Sequence, residues 1–408
     1  MFQLNSINRD FIYLLAGSVG VMPVMLLLNI LLARELGPVK YGDYTYLLSV
    51  LTLFTTVFTF GFFQAGGRAL VLNSSNRRRL QYYGAELVLL VLLYLMLNVA
   101  LVLFLQFDSN IKEKGLLDYF SILLLSGWVF LFKRYCEILF QADGKVKLLS
   151  FSKIFQPVIY LILVVLFSFV GSGLSLYAVL MIFIASNVFS ISIILCAIRP
   201  KFNMLWQRLS EIWLYNKKFG FHLYLGSVLP LSLSMLSMML ISYHSEDNAG
   251  LAFYSIALSL SALITVIPNA MATVHYRGFS KSKVLPLGLA AKTFLLTFSA
   301  TVALVVCVKK FVQIAYGIDY FLVYKLVYIL SYGMLAHGFG DFLNRYLSAK
   351  GYGKYVRNAS VLTGLFLLSS SLMLIPIYQE YGAAISTSLT GLVYFLILFF
   401  YYRKVINE

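Results

Sequence analysis

Two short runs hold most of the ionisable side chains found deep in apolar sequence: Lys133, Arg134 and Glu137, and His337, Asp341 and Arg345, the second run also carrying the polar Asn344. Lys133 and Glu137 are four residues apart, as are His337, Asp341 and Arg345, so on a helix each set shares a face and partly neutralises itself. A charge in hydrocarbon costs at least about 2.5 to 3.5 kcal/mol, so such groups mark binding or relay sites unless they snorkel to the interface. The chemistry they suit is the binding of an anionic group such as phosphate. His222 and His275 have side chains whose ordinary titration lies near neutral pH, and Glu86 is a lone acid, which makes these three the candidates for proton coupling. Their competing readings are interfacial side chains for the histidines and a dipole-stabilised N-terminal acid for Glu86.

These residues are set in a chain whose solvent has to be lipid. Of 408 residues 61% are hydrophobic and 12% charged, where a soluble domain carries about a quarter charged. The net charge of +16 raises nucleic acid as a partner, but no basic module with exposed base-stacking aromatics is present. The positive charge lies instead between apolar runs, where it sets topology and meets anionic lipid head groups. Cys136, Cys196 and Cys307 stand far apart in apolar sequence without CxxC or histidine spacing, so neither a disulfide framework, a metal site nor a cofactor is indicated. MFQLNSINRD runs directly into a full-length apolar segment, which predicts an uncleaved first span.

A hydrocarbon core of about 30 Å needs about 20 apolar residues per helix. Twelve segments qualify, near residues 10–32, 43–64, 84–106, 117–139, 151–170, 174–197, 218–241, 250–273, 286–307, 325–346, 359–377 and 382–402. The predicted fold class is an all-α integral membrane protein. Lys and Arg are strongly asymmetric between alternate loops: about 24 of the 32 fall on one side and about seven on the other. That places both termini in the cytoplasm. The opposite loops are short, so function has to reside within the helices.

A parallel repeat appears at a spacing of about 207 residues. Gln141-Ala142-Asp143-Gly144 followed by Lys147 matches Ser348-Ala349-Lys350-Gly351 followed by Lys354, and Gly42 and Tyr46 match Gly250 and Tyr254. Shifting by the same amount sets Arg134 on Asp341 and Glu137 on Asn344. The repeat divides the chain into an N-lobe over 1–200 and a C-lobe over 201–408, six spans each.

Several strings then become recognisable in order: LARELGPVKYGDY (32–44), FGFFQAGGRAL (60–70), GLAFYSIALSLSALITVIPNAM (250–271), YGIDY (316–320), YLSAKGYGKYVRNAS (346–360) and LIPIYQEYGAAIST (374–387). Together they resemble the polysaccharide (O-antigen) flippases of the multidrug, oligosaccharidyl-lipid and polysaccharide exporter superfamily, over essentially the whole chain. The resemblance implies two six-helix lobes around a central cavity, alternating access, and a sugar repeat unit on undecaprenyl pyrophosphate as substrate. It also implies a bacterial inner-membrane location and no covalent chemistry. The chain departs from the pattern late in span seven, with Ser237-Met238-Met239 where relatives often have an acid, and after span eight, with His275-Tyr276-Arg277 where they often have proline.

A pyrophosphate needs several charge-assisted hydrogen bonds, for which Arg9, Arg68 and Lys292 are further candidates beside the two polar runs. The alternatives are a drug or cation antiporter of the same superfamily and a membrane polymerase or glycosyltransferase. A cation cavity calls for net acidic charge, whereas the intramembrane charges here are mixed to basic. An enzyme calls for a sizeable loop to carry its catalytic set. Expected partners are the lipid-linked oligosaccharide, anionic lipids and a polysaccharide polymerase with its chain-length regulator, the protein itself acting as a monomer.

Overall fold

A computed structural model describes residues 20–170, 173–282 and 284–407 of the chain. Arg9 lies outside these residues. The described residues form helices and connecting turns, with no strand among them. The principal helices are α1 (Val21–Val57), α2 (Phe62–Leu72), α3 (Asn76–Phe107), α4 (Phe120–Ala142), α5 (Val146–Val170), α6 (Leu176–Ile198) and α7 (Leu205–Tyr215). They continue with α8 (Phe221–His244), α9 (Ala249–Ala262), α10 (Val266–Val274), α11 (Tyr276–Lys281), α12 (Leu287–Ala315), α13 (Val323–Ala349) and α14 (Gly353–Asn407).

Among the described residues eight helical stretches are long and apolar enough to cross a membrane. Two of them are too long for one crossing. The 55 residues of α14 would extend about 80 Å if straight. Instead the helix breaks at Gln379, whose φ of 48° and ψ of −124° leave helical space three residues after Pro376. In α1 the break is Gly37, at φ 72° and ψ 171°, directly before Pro38. Glycine takes the positive φ without steric cost, and proline removes the next donor from the hydrogen-bond ladder.

Helices also outrun the apolar segments that reveal them. The third span is expected from 84, yet α3 starts at Asn76 and takes in the Arg77-Arg78-Arg79 run, because backbone hydrogen bonds propagate through polar residues until Ser75 turns extended. Glu86 therefore sits well inside a helix and not at its N-terminus, which removes the dipole reading of that residue.

The chain forms two compact units: unit 1 is Met1–Leu36 with Leu47–Val228, and unit 2 is Gly37–Tyr46 with Leu229–Glu408. In unit 1 the connection between α4 and α5 is tied to α3. Asp143 is almost fully buried, pairs with Arg79 and with Lys145 Nζ at 3.3 Å, and accepts a 2.8 Å hydrogen bond from the Tyr83 hydroxyl. In unit 2 the segment Gly37–Tyr46 is held by Asp43, which accepts a 2.8 Å hydrogen bond from Asn248 Nδ2. Gly42 lies against the backbone of Asn248 so closely that a Cβ would collide with it. A separate apolar cluster in unit 2 joins α10, α11, α13 and α14 through Ala272, Phe279, Phe342, Tyr346 and Leu398.

Candidate functional site

Unit 2 holds a partly open cavity of about 390 Å³ whose walls come from α8, α9, α13 and both halves of α14. That volume falls within the range of small-molecule pockets. Close helix contact shapes one wall. Gly333 on α13 and Gly391 on α14 meet so tightly that a Cβ on Gly391 would overlap the Gly333 carbonyl oxygen. Ser388 locks the contact, its Oγ accepting a 3.1 Å bond from Gly333 N and donating to Ile329 O. Small residues at such a crossing let two backbones approach, as is usual between helices in lipid.

The lining is built from hydroxyls placed three or four residues apart on apolar helices: Ser234 and Ser237; Ser360 and Thr363; Thr387, Thr390 and Tyr394. Tyr254 adds another and is joined to Thr387 Oγ1 at 2.8 Å. Ser237 Oγ lies 3.0 Å from Ser371 Oγ. His337 is the single ionisable side chain, tyrosines apart, among the lining residues, and its ring stacks on Tyr394 with centroids 4.8 Å apart and planes 28° from parallel.

Behind Tyr394 stands Asp341. It accepts from the Tyr394 hydroxyl at 3.2 Å and from Asn269 Nδ2 at 3.0 Å, and His337 Nε2 is 3.9 Å away. Asn344 Nδ2 donates to the same tyrosine hydroxyl at 2.7 Å. The structure thus joins three of the four residues singled out on α13, with Tyr394 as the link. Arg345 is exposed, and no ion pair to Asp341 occurs among the described residues.

Unit 1 carries the other polar run. Lys133 Nζ bonds to Gln156 Oε1 at 3.2 Å and lies 5.6 and 5.2 Å from the ring centroids of Phe130 and Phe183. Gln156 in turn donates to Ser186 Oγ at 3.3 Å. Glu137 pairs with Arg134 at 3.2 Å and with Lys153 at 4.0 Å, so the lysine four residues before it is left for Gln156 and the two rings. Glu86 is wholly buried against Gly66, and neither carboxyl oxygen has a hydrogen-bond partner among the described residues.

The remaining candidates are dispersed. Arg68 lies 5.5 Å from the Phe219 ring centroid, Lys292 is exposed in the second turn of α12, and His222 is exposed at the start of α8. His275 Nδ1 donates to Met271 O at 2.9 Å in its own helix turn. Among the described residues no group of three His, Cys, Asp or Glu side chains is placed to hold a metal, and the three cysteines are free thiols. The cavity hydroxyls are absent from the sequence-derived candidates, although their three- and four-residue spacing on apolar helices is a legible signal.

Long apolar helices, with polar side chains gathered inside them, define a multi-span α-helical membrane protein. The family described as polysaccharide biosynthesis protein matches residues 7–283, more than half of the chain, and the chain belongs to that family. Its fold is similar to that of the lipid II flippase MurJ in an inward closed conformation, with a TM-score of 0.78 at 16% identity over 97% of this chain and 89% of that one. It is also similar to an inward-facing multidrug resistance MATE family transporter of the MOP superfamily, with a TM-score of 0.74 at 15% identity over 95% of each chain. A variant of the Vibrio cholerae MATE transporter VcmN matches at a TM-score of 0.54 and 16% identity, over 99% of this chain and 97% of that one. No curated protein sequence matches the chain.

Proposed function

We propose that the protein flips a lipid-linked oligosaccharide, a repeat unit borne on undecaprenyl pyrophosphate, from the cytoplasmic to the outer leaflet of a bacterial inner membrane by alternating access. The product would feed the assembly of a surface polysaccharide such as O-antigen or capsule. The observation that carries this reading is the lining of the unit 2 cavity, where six serines and threonines and two tyrosines stand beside a single histidine, His337. Sugar hydroxyls both donate and accept, and serine, threonine and tyrosine hydroxyls do the same. Tyr254 and Tyr394 add apolar ring faces that suit the C–H faces of a pyranose. Lys133, at mid-helix in α4, supplies a cation of the kind a pyrophosphate requires. In this reading both termini are cytoplasmic, and the protein works as a monomer beside a polysaccharide polymerase and a chain-length regulator.

A second reading, a drug or cation antiporter, rests on the fold shared with MATE transporters. A cavity for amphipathic cations calls for carboxylates in its wall. Here the wall contains none, and Asp341 is engaged by Tyr394 and Asn269.

The experiment is deletion of the gene in its host, with restoration by the wild-type chain. Lipid-linked repeat units that accumulate and stay inaccessible to reagents outside the inner membrane support the first reading. Normal surface glycan in the deletion strain overturns it, and a drug-sensitive strain with normal glycan selects the second.

A further inference from the structure

Helix α7 has its amphipathic character reversed. It lies in unit 1 on the connection between two long apolar helices, α6 ending at Ile198 and α8 beginning at Phe221. Its charged pair faces inward. Arg208, 7% exposed, donates from Nε to Gln81 Oε1 at 3.0 Å and from Nη1 to both Glu211 oxygens at 2.7 Å, and its guanidinium lies 5.3 Å from the Tyr82 ring centroid. Tyr82 completes the arrangement by donating to Glu211, and Ile212 is fully buried beside it.

The outward face carries large apolar side chains: Trp206 is 83% exposed, and Trp213, whose ring stacks on Phe62 at 5.7 Å, and Leu214 are about half exposed, with Gln207 and Ser210 as the exposed polar residues among them. Phe202 and Met204, on the preceding turn, continue the surface. Exposed cations flank the helix in the chain, Arg199 and Lys201 before it and Lys217 and Lys218 after it, with Lys217 Nζ 5.5 Å from the Trp213 ring centroid; Lys201 N donates to Leu80 O, next to the start of α3 where Arg77 and Arg78 are exposed. Glu211 is the single acid between 199 and 221, and Arg208 already neutralises it. In water this face would be unfavourable, because the helix turns its best solvated groups inward and its indoles outward. At the head-group level of a bilayer the same arrangement is favourable. Indoles concentrate there, and lysine and arginine meet the phosphodiesters of anionic lipids.

We infer that α7 is a membrane-interface helix that binds anionic phospholipid, with Trp206 and Trp213 seated at the boundary of head groups and acyl chains and the surrounding cations on the lipid phosphates. Its tether to α6 and α8 fixes it at the height where those helices leave the hydrocarbon. The occupant of this face is therefore the bilayer itself and not a soluble partner.

The test uses the full chain in phosphatidylcholine vesicles with acyl chains brominated at shallow or deep positions. The protein has three tryptophans, Trp128, Trp206 and Trp213, so Trp128→Phe with Trp213→Phe leaves Trp206 as the only emitter. Trp206 emission is expected to be quenched about twofold more by shallow than by deep bromines, and to be shielded from aqueous acrylamide. Quenching by acrylamide with none from either bromolipid overturns the inference, whatever the protein transports. In a second arm, spin-labelled phosphatidylglycerol and phosphatidylcholine compete for the protein surface. Arg77→Gln, Arg78→Gln, Lys217→Gln and Lys218→Gln combined are expected to lower the preference for phosphatidylglycerol by about threefold or more. An unchanged preference would overturn the anionic part of the inference.

Discussion

Tyr394 donates its hydroxyl to Asp341 at 3.2 Å while its ring stacks on His337, so a single side chain ties the cavity wall to the acid behind it. Tyr394→Phe keeps the ring but leaves Asp341 with one donor fewer and Asn344 without its acceptor. The expected outcome is a loss of about 1–3 kcal/mol in stability. It is measured by unfolding of the detergent-solubilised protein, alongside reduced surface glycan in a complemented deletion strain.

Filling the cavity separates binding from folding. Among the described residues Ser360 bonds only within its own turn, to Val356 O at 3.1 Å, so Ser360→Leu removes no tertiary hydrogen bond while placing an apolar branch at the lining. Surface glycan is expected to fall severalfold while the melting temperature stays within about 2 °C of wild type. Glycan at the wild-type level would remove the cavity from the transport path.

The Gly333 and Gly391 crossing makes a packing prediction. Gly391→Ala forces a methyl group onto the Gly333 carbonyl, a backbone atom that cannot rotate aside, and is expected to destabilise by about 1–3 kcal/mol. Gly353→Ala has open space around the new methyl group and serves as the control. Equal melting temperatures for the two variants would contradict the crossing.

Gly66 and Glu86 are coupled in the same steric sense, but here the obstacle is a side chain. Gly66→Ala is expected to destabilise unit 1 by displacing the Glu86 carboxyl, and Glu86→Ala is expected to relieve that penalty. A double-mutant cycle should show an interaction energy of about 1 kcal/mol or more; additivity would mean that the two groups do not touch.

Asp143 is the acid with most partners in unit 1. Asp143→Asn keeps the shape but leaves Arg79, which has no other ion pair among the described residues, as an uncompensated cation in a half-buried site. The expected loss is about 3 kcal/mol, and Arg79→Gln combined with it should recover part of that loss. Urea unfolding of the solubilised protein reads both.

Much of the architecture was legible because lipid imposes a length and a composition on every crossing. Each of the twelve predicted spans falls on helix over most of its described length, and the Gly37-Pro38 break lies in the gap between the first two of them, 10–32 and 43–64. Helix ends were less legible. Asn76 to Tyr83, polar or aromatic except for Leu80, read as a loop, while hydrogen bonding carries α3 through them. The break at Gln379 falls in the gap between the last two predicted spans, 359–377 and 382–402, but which residue takes the positive φ was not legible, since a non-glycine residue there is fixed by its surroundings, here with Gln379 Nε2 donating to His244 O at 3.1 Å.

The site was half legible for a related reason. Charges in apolar sequence stand out singly, and His337, Asp341 and Asn344 do converge. Hydroxyls stand out only as a pattern across helices, and the residue that organises them, Tyr394, is one of 29 tyrosines with nothing local to mark it. Lys133 was expected to face Glu137 by its four-residue spacing. Arg134 and Lys153 take the acid instead, a competition settled by reach and not by helical phase.

The placement of Gly37–Tyr46 in unit 2 sets an order of events during synthesis. Asp43 leaves the ribosome 205 residues before Asn248, the partner that donates to it. At cellular elongation rates that is an interval of roughly 10–40 seconds. Through that interval the turn can be inserted but not seated, with Lys40, 3.2 Å from Asp43 in the finished protein, as its local counter-charge. A translation pause or truncation before Asn248 would therefore expose the first hairpin to quality-control proteases, although every residue of that hairpin had already been made.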